Sequence, residues 1–158
     1  MSIELSFTSL LPAPFDVVWG RAVAVDGAND ELWPLANMTF PFHLDARTPP
    51  EQVLGRTFRS WMLGFGFVPV DRRTMTIEVF ERRRFRECST SLLQGRVCHE
   101  RTAEPVGDGS TSLTDTLTAE SRGRVLDALL RSGVTTTFQR RHRRLRRHFE
   151  KKSRRDSA

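Results

Sequence analysis

The sequence predicts an α+β domain in which one long C-terminal helix packs across a curved antiparallel β-sheet of about seven strands. Three observations predict it. Apolar residues recur every three or four positions from Val125 to Phe149, which is helical spacing. Before them come short segments with strand-like alternation, separated by turn residues at roughly ten-residue intervals, the pattern of a meander. Two short helical stretches separate the first strand from that meander. The chain has 158 residues, enough for one domain with one core.

Ile3, Leu5 and Phe7 alternate with Glu4, Ser6 and Thr8, which reads as a strand. Pro12 and Pro14 stop it, because proline cannot continue a ladder. Pro14 then starts a helix at its first position, where its missing N–H costs nothing. Phe15, Val18 and Trp19 fall on one face of that helix. Asp26–Asn29 is turn-rich, and a second short helix is expected around Asp30–Leu35 with Leu32 and Trp33 inward. Strands are then expected at Thr39–Leu44, Gly55–Phe67, around Met75–Val79, around Phe85–Ser89, at Arg96–Glu104 and at Ser110–Thr118. Gly64 and Gly66 suggest a bend or bulge. Val106-Gly107-Asp108-Gly109 is a turn, and no internal repeat is present.

The last segment is expected to be helical from Ser121, a fair N-cap, to Phe149. About 29 residues would span roughly 44 Å, enough to cross a small domain. Gly133 is an expected weak point or kink. Arginines crowd the final turns, where the macrodipole favours positive charge. Residues 151–158 lack an apolar anchor, so a single domain over 1–150 with a basic, frayed tail is expected.

The net charge of +6 is unevenly placed. Phe138–Ala158 holds ten Lys/Arg against Glu150 and Asp156, a local charge of +8, and the rest of the chain sums to −2. Hydrophobic residues make up 38 % and charged residues 28 %, a globular balance. No apolar run is long enough to span a membrane. The N-terminus has no basic n-region and carries Glu4 inside its apolar stretch, so no signal peptide is expected. Cys88 and Cys98, without a CxxC pattern, fit reduced thiols in the cytoplasm. No zinc spacing, phosphate loop, Ser/His/Asp pattern or dinucleotide fingerprint is present, so no metal or cofactor is expected.

The order of elements resembles the helix-grip fold of the START/Bet v 1-like (SRPBCC) superfamily, often labelled polyketide cyclase/dehydrase-like. Ala13-Pro14-Phe15 followed by Val18-Trp19 resembles its opening "xAPxxxVW". Phe85-Arg86-Glu87 resembles its "F-x-D/E" strand, and His99-Glu100-Arg101 its "W-x-H-x-H" strand. Gly109 through Thr114-Asp115 resembles "GT…D", and Phe138 to Arg141 the aromatic-x-x-Arg of the closing helix. Val97 stands where relatives often have tryptophan, Leu92 where they often have glycine, and Arg101 replaces a histidine. The resemblance implies a cavity between helix and sheet. Members bind lipids, sterols, polyketides or plant metabolites, and some catalyse cyclisation or dehydration.

The candidate site joins Glu87, His99, Arg101, Asp115 and Arg141. With Leu92–Gln94 as hairpin loop, Glu87 lies opposite His99 and Phe85 opposite Arg101. With Gln94-Gly95 as a two-residue turn, Glu87 faces Thr102 and the set disperses. In the first register Glu87 could orient His99 as an acid or base, and Cys88 would neighbour Cys98. Arg141, on the helix stripe, could pair with Asp115 or Glu87. The bland reading is a satisfied ion-pair network fixing helix on sheet. Trp61, Leu63, Phe65, Met75, Ile77, Val79, Leu130, Val134 and Phe138 are the apolar candidates for the interior. The first expectation is a small hydrophobic ligand held by these groups. The second is a cyclase/dehydratase using His99 with Glu87. The third is nucleic-acid or anionic-surface binding through the Arg-rich C-terminus.

Overall fold

The structure, a computed structural model, describes residues 2–41, 43–91, 95–120 and 123–156. The first alternation forms β1 (Ser2–Leu11). Pro14 caps α1 (Phe15–Val23), which buries Val18, Trp19 and Ala22. Ala24 is extended and ends α1 while starting α2 (Val25–Leu32). The expected turn at Asp26–Asn29 is therefore helical, because the single residue Ala24 already turns the chain. Asn29 does not break α2. Its side chain accepts from Met38 N at 2.8 Å and donates to Met38 O at 3.0 Å. The helix ends at Leu32, not Leu35, and Trp33 is extended. Leu32 is buried as expected, whereas Trp33 leaves the stripe and is exposed.

The edge strand β2 (Ala36–Met38) precedes the stretch Thr39–Leu44 where it was expected. Pro41 lacks the N–H a ladder needs. A single helical turn, α3 (Pro50–Val53), follows, and then β3 (Thr57–Gly64), β4 (Val68–Phe80), β5 (Arg84–Ser91), β6 (Gly95–Val106) and β7 (Ser110–Glu120). Among the described residues they form one antiparallel seven-stranded sheet, ordered β1-β7-β6-β5-β4-β3-β2. The expected irregularity near Gly64 is a register shift between Met62 and Leu63.

The register of β5 on β6 pairs Glu87 with His99 and Phe85 with Arg101. This is the register that gathers the candidate site. The loop Leu92–Gln94 itself lies outside the described residues. Cys88 and Cys98 are directly opposed and form a disulfide, which corrects the expectation of two reduced thiols. Their Cα atoms are 4.0 Å apart. Since Glu87 and His99 face inward, the alternation puts the disulfide on the outer face.

The last helix, α4 (Arg124–Asp156), has 33 residues and is about 50 Å long. Its N-cap candidate Ser121 lies outside the described residues. It continues past the expected end at Phe149, so residues 151–156 are helical rather than frayed. Lysine and arginine are good helix formers, and cations near a C-terminus are favoured by the macrodipole. Among the described residues no helix is long and apolar enough to cross a membrane.

The interior is layered. Leu11, Ala103, Leu113, Leu145 and Phe149 belong to a larger apolar cluster with α1 and β4. Ile3, Val97, Leu117 and Phe138 belong to a smaller one, with Leu130 and Val134 packed against it. Between them, along β1, β6, β7 and α4 alike, stand Ser9, His99, Arg101, Asp115, Arg141 and His142. Four elements thus read apolar, polar, apolar at matching heights.

Candidate functional site

Asp115 is the centre of that polar layer. β7 points it inward with Leu113 and Leu117, and it has no solvent exposure. Arg101 lies directly across the ladder. Its Nε donates to Asp115 Oδ1 at 2.6 Å and its Nη2 to Oδ2 at 2.9 Å. His99 Nε2 meets Oδ1 at 2.8 Å, and His142 Nε2 meets Oδ2 at 3.0 Å. Four donors fill the acceptor positions of a carboxylate. An ionised Asp115 only accepts, so Nε2 of each histidine carries a proton. His142 Nδ1 faces Ser9 Oγ at 2.8 Å.

Arg101 is also fully used. Its Nη1 donates to Ala22 O at 2.8 Å and to Glu31 Oε1 at 3.3 Å, and its Nη2 also reaches Glu31 Oε2 at 2.9 Å. Together with the bonds to Asp115 this occupies all five donors of a guanidinium. Glu31, supplied by α2, receives Arg141 as well, from Nε at 3.1 Å and Nη2 at 2.9 Å. The Arg141 guanidinium lies over the Phe138 ring, 4.7 Å from its centroid. The two short helices, the sheet and α4 are therefore joined by one chain of charge-assisted bonds. Such bonds tolerate burial because every charge has partners.

The electrostatics follow from this packing. Burial opposes charge on Asp115, but the Arg101 and His99 charges beside it outweigh that and hold its carboxyl well below the usual range. Burial likewise opposes charge on Arg101, and Asp115 and Glu31 overcome it, so its pKa is raised. Burial also disfavours a charged His99, yet the Asp115 and Glu87 carboxylates raise its pKa above the ordinary value. His99 Nδ1 lies 3.5 Å from Glu87 Oε1. With a carboxylate at each ring nitrogen, the geometry favours the doubly protonated imidazolium.

Beside this layer, on the side of the smaller apolar cluster, lies a cavity of about 320 Å³. Leu130, Val134 and Phe138 of α4 face Met38, Met62 and Val97 across it. Glu87, His99 and Arg141 form its charged end, and Arg73 also lines it. Gly133 stands in the wall, with open space where a side chain would begin. A smaller space of about 60 Å³ lies on the other side of the same residues, among Phe40, Phe58, Ile77 and Phe85.

The structure thus brings Glu87, His99, Leu130, Val134, Phe138 and Arg141 to the cavity. Asp115 does not line it and stands behind His99. Arg101 and Ile77 border only the smaller space. Met75 is buried in the larger apolar cluster. Trp61 is displaced from the expected interior. It is 44 % exposed, with Arg72 stacked over its ring at 5.9 Å. β3 turns Phe58, Ser60 and Met62 inward, so the period of two sends Trp61 outward. Leu63 follows at the register shift and does not line the cavity, Phe65 is exposed, and Val79 is half-buried beside a second register shift.

The family model described as a domain of unknown function, DUF8410, matches residues 9–149. The chain belongs to the DUF8410 family. No curated protein matches it. Among solved structures, Zhui aromatase/cyclase from Streptomyces sp. R1128 aligns with a TM-score of 0.71 at 14 % identity, covering 97 % of this chain and 96 % of that one. Protein CV1439 from Chromobacterium violaceum aligns at 0.68 with 13 % identity, covering 93 % and 97 %. Ara h 8.0201 aligns at 0.60 with 11 % identity, covering 92 % and 98 %. At such identities the likeness shows the fold. This DUF8410 chain has the helix-grip fold of the START/Bet v 1-like superfamily, as its sequence resemblance implied.

Three residues of the polar layer escaped the sequence reading. Glu31 had a detectable signal, because two inward arginines need more acid than Asp115 supplies. His142 lies four residues after Phe138 and three before Leu145, on the buried stripe of α4. Ser9 continues the inward alternation of β1 and is buried.

Proposed function

We propose that this DUF8410 chain binds a small hydrophobic molecule between the sheet and the first half of α4. The ligand's polar end lies against Glu87, His99 and Arg141, and its apolar body against Leu130, Val134 and Phe138. The observation that carries the reading is the cavity of about 320 Å³, apolar in its walls and charged at one end. Ligand sites of globular proteins share that make-up and begin near this size. Arg101 and Asp115 act in this reading as the frame that holds His99 and Arg141. The test is native mass spectrometry of the purified chain together with titration by a fluorescent hydrophobic probe. One-to-one saturable binding is expected. A chain that carries no adduct and does not saturate with probe overturns the reading.

A second reading is catalytic. His99 lines the cavity between two carboxylates, and an imidazolium so placed is a general acid. It would donate a proton to a carbonyl or hydroxyl of a bound ligand, as a cyclisation or dehydration requires. His99→Gln then keeps probe binding and loses turnover, and equal turnover by both proteins rejects it. A third reading rests on the exposed cations of α4 after Phe138. It predicts nucleic-acid binding that falls steeply with salt and is lost in R147E/K151E. Location follows the disulfide. Such bonds persist in oxidising compartments, so a cytoplasmic chain would carry Cys88 and Cys98 reduced.

A further inference from the structure

We propose that the tip of the β3–β4 hairpin, Phe65-Gly66-Phe67, with Trp33 beside it, is a docking surface for an anionic lipid bilayer. Phe65 is 63 % exposed, Phe67 76 % and Trp33 48 %. They form one surface. The hairpin backbone at Gly66 runs so close to the Trp33 ring that a Cβ there would lie 2.6 Å from it. Phe65 N also donates to Leu35 O at 3.1 Å. No charged residue occurs from Ser60 to Val70 or from Trp33 to Phe40.

The backbone supplies a separate observation. Phe67 N donates to Gly64 O at 3.2 Å, closing a tight turn. Both central residues are left-handed, with φ of 52° at Phe65 and 83° at Gly66. Asn-Gly is the favoured pair for such a turn, and a bulky L-residue at its first position is disfavoured. Burial does not offset the strain, since most of the Phe65 ring meets water. A strained residue that its own fold does not reward points to an external partner.

The chemistry selects the partner. The rings are exposed on and beside a tight hairpin turn, whereas a groove would suit a peptide segment. Aromatic rings without charge settle at the headgroup boundary of a bilayer. The border is cationic, which complements anionic lipid. Arg59 and Arg72 are exposed, and Asp71, the acid between Thr57 and Ile77, is buried with Arg73 Nε at 3.4 Å. Leu35 and Met62 line the cavity and sit beside the tip. If the cavity reading holds, docking lets a hydrophobic molecule pass between bilayer and cavity without crossing water.

The test floats the full chain with vesicles of phosphatidylcholine alone and of phosphatidylcholine with phosphatidylglycerol. Association with the anionic vesicles, weakened by salt, is expected. Phe65→Asn and Phe67→Ser should each lower partitioning about tenfold, the worth of one buried aromatic side chain. Phe65→Asn should at the same time raise the melting temperature, because asparagine tolerates the left-handed region. A merely structural Phe65 would show the reverse. Wild-type partitioning by both variants, or no association with anionic vesicles, overturns the proposal. So does a solution dimer that these substitutions dissociate, since a second copy would then cover the tip. Probe titration without vesicles separates this from the cavity reading, because neither phenylalanine lines the cavity.

Discussion

His99 presents Nε2 to Oδ1 of Asp115 at 2.8 Å, with its Nδ1 turned to Glu87. The pairing raises the folded-state pKa of His99 above its unfolded value of about 6.5. Its stabilising contribution is therefore complete below that value and is lost as pH rises through the folded one. Asp115 behaves oppositely. Its depressed pKa contributes stability above the unfolded carboxylate value, lost only as pH falls well below it. We expect the melting temperature to decline as pH rises from neutrality through the His99 titration. Imidazole NMR should place His99 above 6.5 in the wild type and lower in Asp115→Asn, where burial is opposed by Glu87 alone. A wild-type His99 titrating at or below 6.5 contradicts the arrangement.

Arg101→Met should be the most destabilising single change in the polar layer. It leaves Asp115 and Glu31 buried without their principal cation, a loss of about 3–5 kcal/mol by comparison with other broken buried pairs. For a domain of this size that is roughly a 10 °C fall in melting temperature. Urea denaturation of Arg101→Met, Glu31→Gln and the double variant checks the coupling. The double variant should lose less than the sum of the two singles. Strict additivity would mean that Arg101 and Glu31 do not stabilise one another.

The fold was legible because its signals are periodic. β1, β7 and α4 repeat their inward residues with little interruption, and the register that opposes Glu87 to His99 is one of two the sequence allowed. The site was legible only in part. Arg141 was readable as a charge on an apolar stripe, but its partner Glu31 lies in a short helix hidden behind the turn-like Asp26–Asn29. Trp61 was misplaced because size says nothing about face. In β3 the parity of Phe58 and Met62 decides, and Trp61 has the other parity. The register that joined Glu87 to His99 also opposed Cys88 to Cys98, but a disulfide was not expected there, because a bridge directly across a ladder is strained and a cytoplasmic setting opposes it.

Gly133 offers a way to close the cavity without disturbing the frame. It stands in the cavity wall on α4, and a Cβ there would meet open space. Gly133→Ala should stabilise the helix by about 0.5–1 kcal/mol with little effect on ligand. Gly133→Leu should keep the stability and reduce probe affinity about tenfold or more, by filling space rather than by removing a contact. Wild-type probe affinity in Gly133→Leu would place the probe elsewhere.

Arg141→Met separates the binding role from the structural one. Arg141 donates from both Nε and Nη2 to Glu31 Oε2. Glu31 keeps Arg101 when Arg141 is removed, through bonds at 2.9 and 3.3 Å. No carboxylate is then left without a cation, so the stability loss should be about 1–3 kcal/mol, below that of Arg101→Met. Methionine also preserves much of the packing on Phe138. Probe or ligand affinity should nevertheless fall about tenfold, because the cavity's charged end has lost its guanidinium. Arg101→Met, assayed under conditions where it stays folded, should bind better than Arg141→Met, since Arg101 does not line the larger cavity. Calorimetric titration of both variants beside their denaturation curves checks the two rank orders. If affinity and stability rank the variants alike, Arg141 serves the frame alone and makes no contact with ligand.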